Sequence, residues 1–195
     1  MALSATKATL QIIIASTRPG RVGLPVGRWF DTHARAHGTF DVDLVDLAEL
    51  GLPFVDEPNH PRLRSYTHKH TRDWSARVAS ADAFAFVMPE YNHAFTAALK
   101  NALDFLHAEW QYKPVGLVSY GGVAAGTRGA QMLKPVLLAL KMSPIAEAVA
   151  IPFVAKFIDD EGVFQPSEPL EQAADVMLDE LRRLSAALEP LRADG

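Results

Sequence analysis

The stretch Leu10-Gln-Ile-Ile-Ile-Ala15, followed at once by Ser16-Thr17-Arg18-Pro19-Gly20-Arg21-Val22-Gly23, decides how the rest of the chain is read. Three consecutive isoleucines in a run of six, bounded by turn-forming residues, predict a strand buried on both faces, because a strand with one wet face would alternate apolar with polar. Such a strand belongs at the centre of a sheet. Beyond the turn, Leu24, Val26, Trp29 and Phe30 recur among charged residues, so an amphipathic helix is expected over Gly23–His37, stopped by Gly38.

The same alternation continues along the chain. Phe40–Leu47 sets Phe, Val, Leu and Val against Asp41, Asp43 and Asp46, the pattern of a strand nearer an edge. Gly51–Tyr66 holds three prolines, Asn59 and His60 without a sustained period and reads as a long ordered loop, of the kind that often serves a site. Thr67–Ala81 is expected as a helix, Ala83–Met88 as a third buried strand stopped by Pro89, and Thr96–Leu106 as a helix. Val115–Val118 is a fourth strand, Thr127–Leu140 a helix, Ile145–Val149 a fifth strand and Pro169–Leu188 a closing helix. Strands alternating with helices require right-handed crossovers, hence a parallel sheet covered by helices on both faces. Five strands fit a doubly wound, flavodoxin-like α/β fold of order 2-1-3-4-5, expected as a single domain over 1–195. Ligands bind such sheets beyond the carboxyl ends of the strands, so the turns after the first and third strands should hold the chemistry.

Composition narrows the chemistry. Nineteen basic and 23 acidic side chains give a net charge of −4, and no basic run tracks a nucleic-acid backbone. Cys is absent, which removes disulfides, thiolate metal sites, Cys nucleophiles and iron–sulfur clusters, so redox chemistry would need a bound cofactor. No stretch approaches the roughly 18 apolar residues of a membrane span, and Met1–Thr9 lacks a signal-like apolar core, so a cytoplasmic protein is expected.

The turn Ser16–Gly23 offers two hydroxyls, two guanidinium groups and flexible backbone immediately before a helix, a combination suited to a phosphate monoester, although a plain surface loop has the same composition. It matches neither a Walker A motif nor Gly-x-Gly-x-x-Gly, and no Gly-x-Ser-x-Gly occurs. His60, His68 and His70 lack the spacing of a metal site, and no metal is expected. Trp29, Trp74 and Trp110 are expected as packing residues, with an oligomer contact as the alternative for Trp110.

After the third strand stands Pro89-Glu90-Tyr91-Asn92-His93, and the following helix carries Leu99-Lys100-Asn101-Ala102-Leu103-Asp104. Together with Ser-Thr-Arg-Pro-Gly-Arg after the first strand, Lys-Pro-Val before the fourth and Ser119-Tyr120-Gly121-Gly122 after it, this block resembles the NAD(P)H-dependent FMN reductase family, over about Leu10–Leu140. That family also includes quinone, azo and chromate reductases. The resemblance implies an FMN phosphate held by Ser16 and Arg18, with Arg21, Val22 and Gly23. It further implies a ring edged by Pro89, Glu90, Tyr91 and Asn92, and a third approach from Ser119, Tyr120, Gly121 and Gly122, where glycine lets backbone come close. Arg21, Gly23 and His93 depart from residues frequent at those positions. Electrons would pass from NADPH or NADH through FMN to a small acceptor, a flavin, quinone, azo compound or metal oxyanion, with no protein acid or base required. Glu90 reads either as a general base or as a carboxylate ordering its own loop, and Tyr91 either as a stacking ring or as a core aromatic. A homodimer or homotetramer is implied, with the Leu-Lys-Asn helix near the contact and the Gly51–Tyr66 loop reaching toward the site. The alternative is a flavodoxin-like electron carrier or redox sensor without turnover; its usual phosphate loop lacks arginines and its surface is strongly acidic, unlike Arg18, Arg21 and a charge of −4 here.

Overall fold

The computed structural model describes residues 7–193. Its five strands, β1 (Thr9–Ile14), β2 (Asp41–Asp46), β3 (Ala83–Pro89), β4 (Pro114–Tyr120) and β5 (Ser143–Ile151), form one parallel sheet in the order β2-β1-β3-β4-β5. This is the flavodoxin-like fold. Every residue of β3 and β4 is buried, while β2 and β5 mix buried and exposed positions, as central and edge strands should.

Among the described residues six helices accompany the strands: α1 (Gly23–His37), α2 (Leu47–Leu50), α3 (Lys69–Ala79), α4 (Ala97–Asp104), α5 (Thr127–Ala139) and α6 (Glu168–Ala193). On one face Val26, Phe30 and Ala34 of α1 and Ala174, Met177, Leu178 and Leu181 of α6 cover Leu10, Ile12, Ala85 and Val87. The other face packs Trp74 of α3, Leu99 and Leu103 of α4, and Leu133 and Leu137 of α5 on Ile13, Phe84 and Phe86. Each wholly buried Leu, Val or Phe side chain contributes about 1.5–3 kcal/mol relative to exposure.

Several boundaries differ from the sequence reading for local reasons. The second strand ends at Asp46, because its carboxylate accepts a hydrogen bond from Ala48 N (2.9 Å) and starts α2, so Leu47 is helical. Thr96 caps α4 by accepting from Leu99 N (3.1 Å). β4 runs on to Tyr120, which moves Ser119 and Tyr120 out of the third turn and into the sheet. The Gly51–Tyr66 segment is irregular apart from a 3-10 turn at Pro61–Leu63. Trp110 is fully buried, 5.9 Å from the ring of Trp74 and 5.0 Å from that of Phe84, which rules out the oligomer contact considered for it and makes it a core residue.

Candidate active site

The first, second and third turns leave the carboxyl ends of β1, β3 and β4, which are neighbours in the sheet, so the fold brings them to one rim. A cavity of about 150 Å³ is lined there by Arg18, Arg21 and Val22 from the first turn, Pro89, Glu90 and Tyr91 at the end of β3 and in the second turn, Tyr120 at the end of β4, and Gly121 from the third turn.

In the first turn, Ser16 is buried and its Oγ has no hydrogen-bond partner. The buried hydroxyl of Tyr120 is also unpartnered, and the two flank Gly23: a Cβ added there would lie 2.1 Å from Ser16 Oγ and 2.2 Å from Tyr120 OH. Two hydroxyls left unsatisfied inside a protein are costly, and they point to a polar guest at this spot. Val22, the N-cap of α1, gives the helix no side-chain cap, so free backbone N–H groups and the positive end of the helix dipole face the same place. Burial pushes the Tyr120 phenol up, against a smaller opposing influence of the nearby Ser16 hydroxyl, which lies outside hydrogen-bonding geometry, so Tyr120 serves as a neutral hydrogen-bonding group.

The two arginines of this turn part company. Arg18 is exposed, its guanidinium 6.0 Å from the centre of the Tyr91 ring. Arg21 turns inward, donating to the Ser16 carbonyl and gripping both carboxylate oxygens of Asp46, at 2.5 Å for the Nη1–Oδ1 contact. Its charge is thereby matched within the protein, and it ties the turn to the end of β2.

The second turn is a tight hairpin. Tyr91 and Ala94 exchange backbone hydrogen bonds (2.9 and 3.0 Å) around Asn92 and His93, both left-handed at φ 51° and 68°. Two consecutive positive φ values define a type I′ turn, which Asn tolerates better than most residues. Pro89 is buried at the end of β3, whereas Tyr91 is exposed at the rim rather than packed in the core. Glu90 resolves as a structural carboxylate. It pairs with Arg128 (2.5 Å) and accepts from Arg128 N (3.1 Å) and Gly129 N (3.5 Å) in the first turn of α5. Burial would raise its pKa, but the guanidinium and the amides prevail and hold it below the usual carboxylate range. Arg128 also donates to His93 Nε2 (2.9 Å), bracing both ends of the hairpin.

The third turn starts at Gly121 and Gly122. Ser119 does not face the cavity; its Oγ donates to Ala125 O (2.9 Å) and shapes the turn. Gly126, at φ 79°, returns so close that a Cβ would lie 2.7 Å from Tyr120 N. Phe153 N and Val154 N, from the segment after β5, donate to Gly122 O and Gly121 O (3.0 and 3.1 Å), and Val154 lines the cavity.

Arg128 and Val154 escaped the sequence reading. Glu90 needed a cation from somewhere, and the strand-end rule extended to β5 would have reached Val154. A second cavity, of about 540 Å³, adjoins the first turn at Thr17 and lies between α2, Gly51–Phe54 and α4. Asn101 of α4 holds its rim, donating to Pro53 O (2.7 Å) and accepting from Val55 N (3.1 Å).

Comparison with known proteins bears on this geometry. The family profile described as NADPH-dependent FMN reductase matches residues 9–156. The chain is 38% identical over 145 residues to an NAD(P)H-dependent FMN reductase of Schizosaccharomyces pombe, covering 72% of each. It is 24% identical over 172 residues to the FMN-dependent NADPH-azoreductase of Staphylococcus saprophyticus, covering 87% of this chain and 91% of the relative. In fold it resembles the NAD(P)H:acceptor oxidoreductase FerB of Paracoccus denitrificans, with a TM-score of 0.72, 19% identity and coverage of 92% and 98%. By these matches the chain belongs to the NADPH-dependent FMN reductase family, whose members carry FMN and draw on NADH or NADPH.

Proposed function

We propose that the rim built by the three turns is the FMN site, and that the protein passes electrons from NAD(P)H through it to a small acceptor. The observation that carries this reading is the pair of buried, unpartnered hydroxyls of Ser16 and Tyr120 over Gly23, at the uncapped N-terminus of α1. Donors without an acceptor, a helix dipole and the space left by a missing Cβ fit a phosphate. Ser16, Tyr120 and the backbone amides of Val22 and Gly23 would hold it, with Arg18 supplying the free charge. Arg21 would act from beneath, by fixing the turn on Asp46. Backbone groups of Pro89, Glu90, Tyr91 and Asn92 would run along the ring, with Gly121 and Gly122 approaching from the other side. Ser119 would contribute only by shaping the turn. FMN when bound supplies the redox chemistry, taking two electrons from the nicotinamide and yielding them to the acceptor. Glu90 is committed to Arg128 and Asp46 to Arg21, so neither carboxylate is placed for proton transfer.

Free flavin, quinones, azo compounds and metal oxyanions are the acceptors proposed, since an open rim with few side-chain donors discriminates weakly. A homodimer or homotetramer is proposed as well, with a contact through α4 and the Gly51–Tyr66 loop. Phe54 (85% exposed) and Leu63 (69%) give that loop an apolar surface, and Asn101 holds its Pro53–Val55 section in place. The test is an absorbance spectrum of the purified protein, followed by anaerobic reduction with each nicotinamide and reoxidation by a quinone, an azo dye and free FMN. Flavin absorbance, reduction and acceptor-dependent turnover are expected. Colourless protein that cannot be reconstituted with FMN would overturn the reading, and reduction without transfer to any acceptor would make it a carrier. Light scattering showing only monomer would remove the proposed contact.

A further inference from the structure

Phe153 stands out in the segment after β5. It sits in the left-handed region at φ 47°, ψ 46°, a conformation bulky side chains avoid and one that Gly or Asn would adopt more cheaply. It is held there by the hydrogen bond from its N–H to Gly122 O (3.0 Å), at the outer flank of the third turn. The result is an exposed phenylalanine (48%), with the ammonium of Lys156 5.0 Å from the centre of its ring. Core packing gives no reason for a strained backbone that presents an aromatic ring to water, and strain of this kind collects at binding sites.

Charge at the rim singles out the same place. Asp46 is matched by Arg21 and Glu90 by Arg128. Asp159, close to Lys156 in sequence, is turned into its own hairpin by Glu161 N, Val163 N and Gln165 (3.0, 2.8 and 2.6 Å). Arg18, which lines the cavity, and Lys156, two residues after Val154, are among the several cations that make no ion pair within the described residues. Arg18 lines the cavity from the first turn, and Phe153 and Lys156 flank in sequence Val154, which lines it from the segment after β5.

We propose that Phe153 and Lys156 form the landing platform for the adenosine end of the electron donor, the base stacking on Phe153 and the 2′-phosphate meeting Lys156, so that NADPH is preferred to NADH. An exposed aromatic beside an unpaired cation is the pairing that recognises a purine bearing a phosphate. The assignment rests on the rim being the FMN site, and its test is arranged to fail separately. Variants Lys156→Gln and Phe153→Asn are compared with the wild type as FMN-loaded protein; Asn tolerates the left-handed backbone while removing the ring. Calorimetric titration with 2′,5′-ADP and with 5′-AMP, neither of which carries a nicotinamide, reads the platform without turnover. Wild type should bind 2′,5′-ADP about five- to tenfold more tightly than 5′-AMP, the scale of one exposed charge-assisted contact. Lys156→Gln should abolish that difference and raise the KM for NADPH alone, with kcat unchanged. Phe153→Asn should weaken both nucleotides about fivefold or more, as loss of a base stack does. Equal binding of the two nucleotides by the wild type, or a Lys156→Gln effect identical for NADPH and NADH, overturns the 2′-phosphate assignment. Unchanged affinity in Phe153→Asn overturns the stacking. In each of these outcomes a flavin-loaded, active protein leaves the proposed function standing, whereas failure to load FMN removes that reading instead.

Discussion

Gly23→Ala probes the proposed phosphate cradle with a single methyl group. Its Cβ would meet Ser16 Oγ at 2.1 Å and Tyr120 OH at 2.2 Å, both more than an ångström short of ordinary van der Waals contact. One or both hydroxyls must move. Overpacking of this kind costs about 1–3 kcal/mol, and the better helix propensity of Ala returns up to about 1 kcal/mol, so the apoprotein should lose at most about 3 kcal/mol and remain folded. The larger effect falls on binding. Displacing one hydroxyl from a phosphate oxygen removes a charge-assisted hydrogen bond of about 1.5–3 kcal/mol, which corresponds to roughly 10- to 150-fold weaker FMN binding. The assay is quenching of flavin fluorescence on titration of apoprotein, run in parallel with FMN and with riboflavin, which has the ring but no phosphate. FMN affinity should fall while riboflavin affinity stays nearly level, and circular dichroism melts check the fold. Ser16→Ala, which deletes a hydroxyl without adding bulk, should move in the same direction by a smaller step. If folded Gly23→Ala binds FMN as the wild type does, or loses riboflavin in equal proportion, the phosphate is not held over Gly23.

Three further outcomes are expected. Breaking the largely buried Arg21–Asp46 pair by Arg21→Ala should cost about 3 kcal/mol in urea unfolding, and the Arg21→Ala/Asp46→Ala double variant should lose clearly less than the two single losses combined; additive losses would show that the pair does not tie the turn to β2. Burial works against the Glu57 carboxylate, yet hydrogen bonds from Thr67 N, His68 N and Thr67 Oγ1 prevail and lower its pKa to about 2. Its contribution is therefore complete above the unfolded value near 4.5 and fades as pH falls toward 2, so Glu57→Gln should cost about 1 kcal/mol at pH 7 and almost nothing at pH 2; a deficit independent of pH contradicts this. Asn101→Ala removes both bonds to the Pro53–Val55 segment, and hydrogen exchange at Val55 N should speed up about tenfold; unchanged protection would mean that Asn101 does not hold the loop.

The amino-acid order alone determined the five strands, every helix but α2 and their sequence in the fold, because hydrophobic periodicity is a local property: Ile12–Ile14 had to be buried on both faces, and Leu24 to Phe30 had to line one side of a helix. With the strands alternating with helices, the 2-1-3-4-5 order and the rim where the turns meet followed from crossover handedness. Which side chains serve the rim was decided by neighbours far away in the chain. Arg18 and Arg21 are indistinguishable in a string of letters, yet Asp46 lies within reach of one of them only once β2 has paired with β1 at Ile14. Glu90 read equally as a base or as a brace until α5 brought Arg128 against it, 38 residues on. Tyr120 joined the proposed phosphate cradle because β4 continues to it and delivers its hydroxyl beside Ser16, and Phe153 entered because the end of β5 stands next to Gly122. A side chain commits to the partner that tertiary packing places within a few ångströms, and the partners here lie 25 to more than 100 residues apart, beyond the reach of any local pattern.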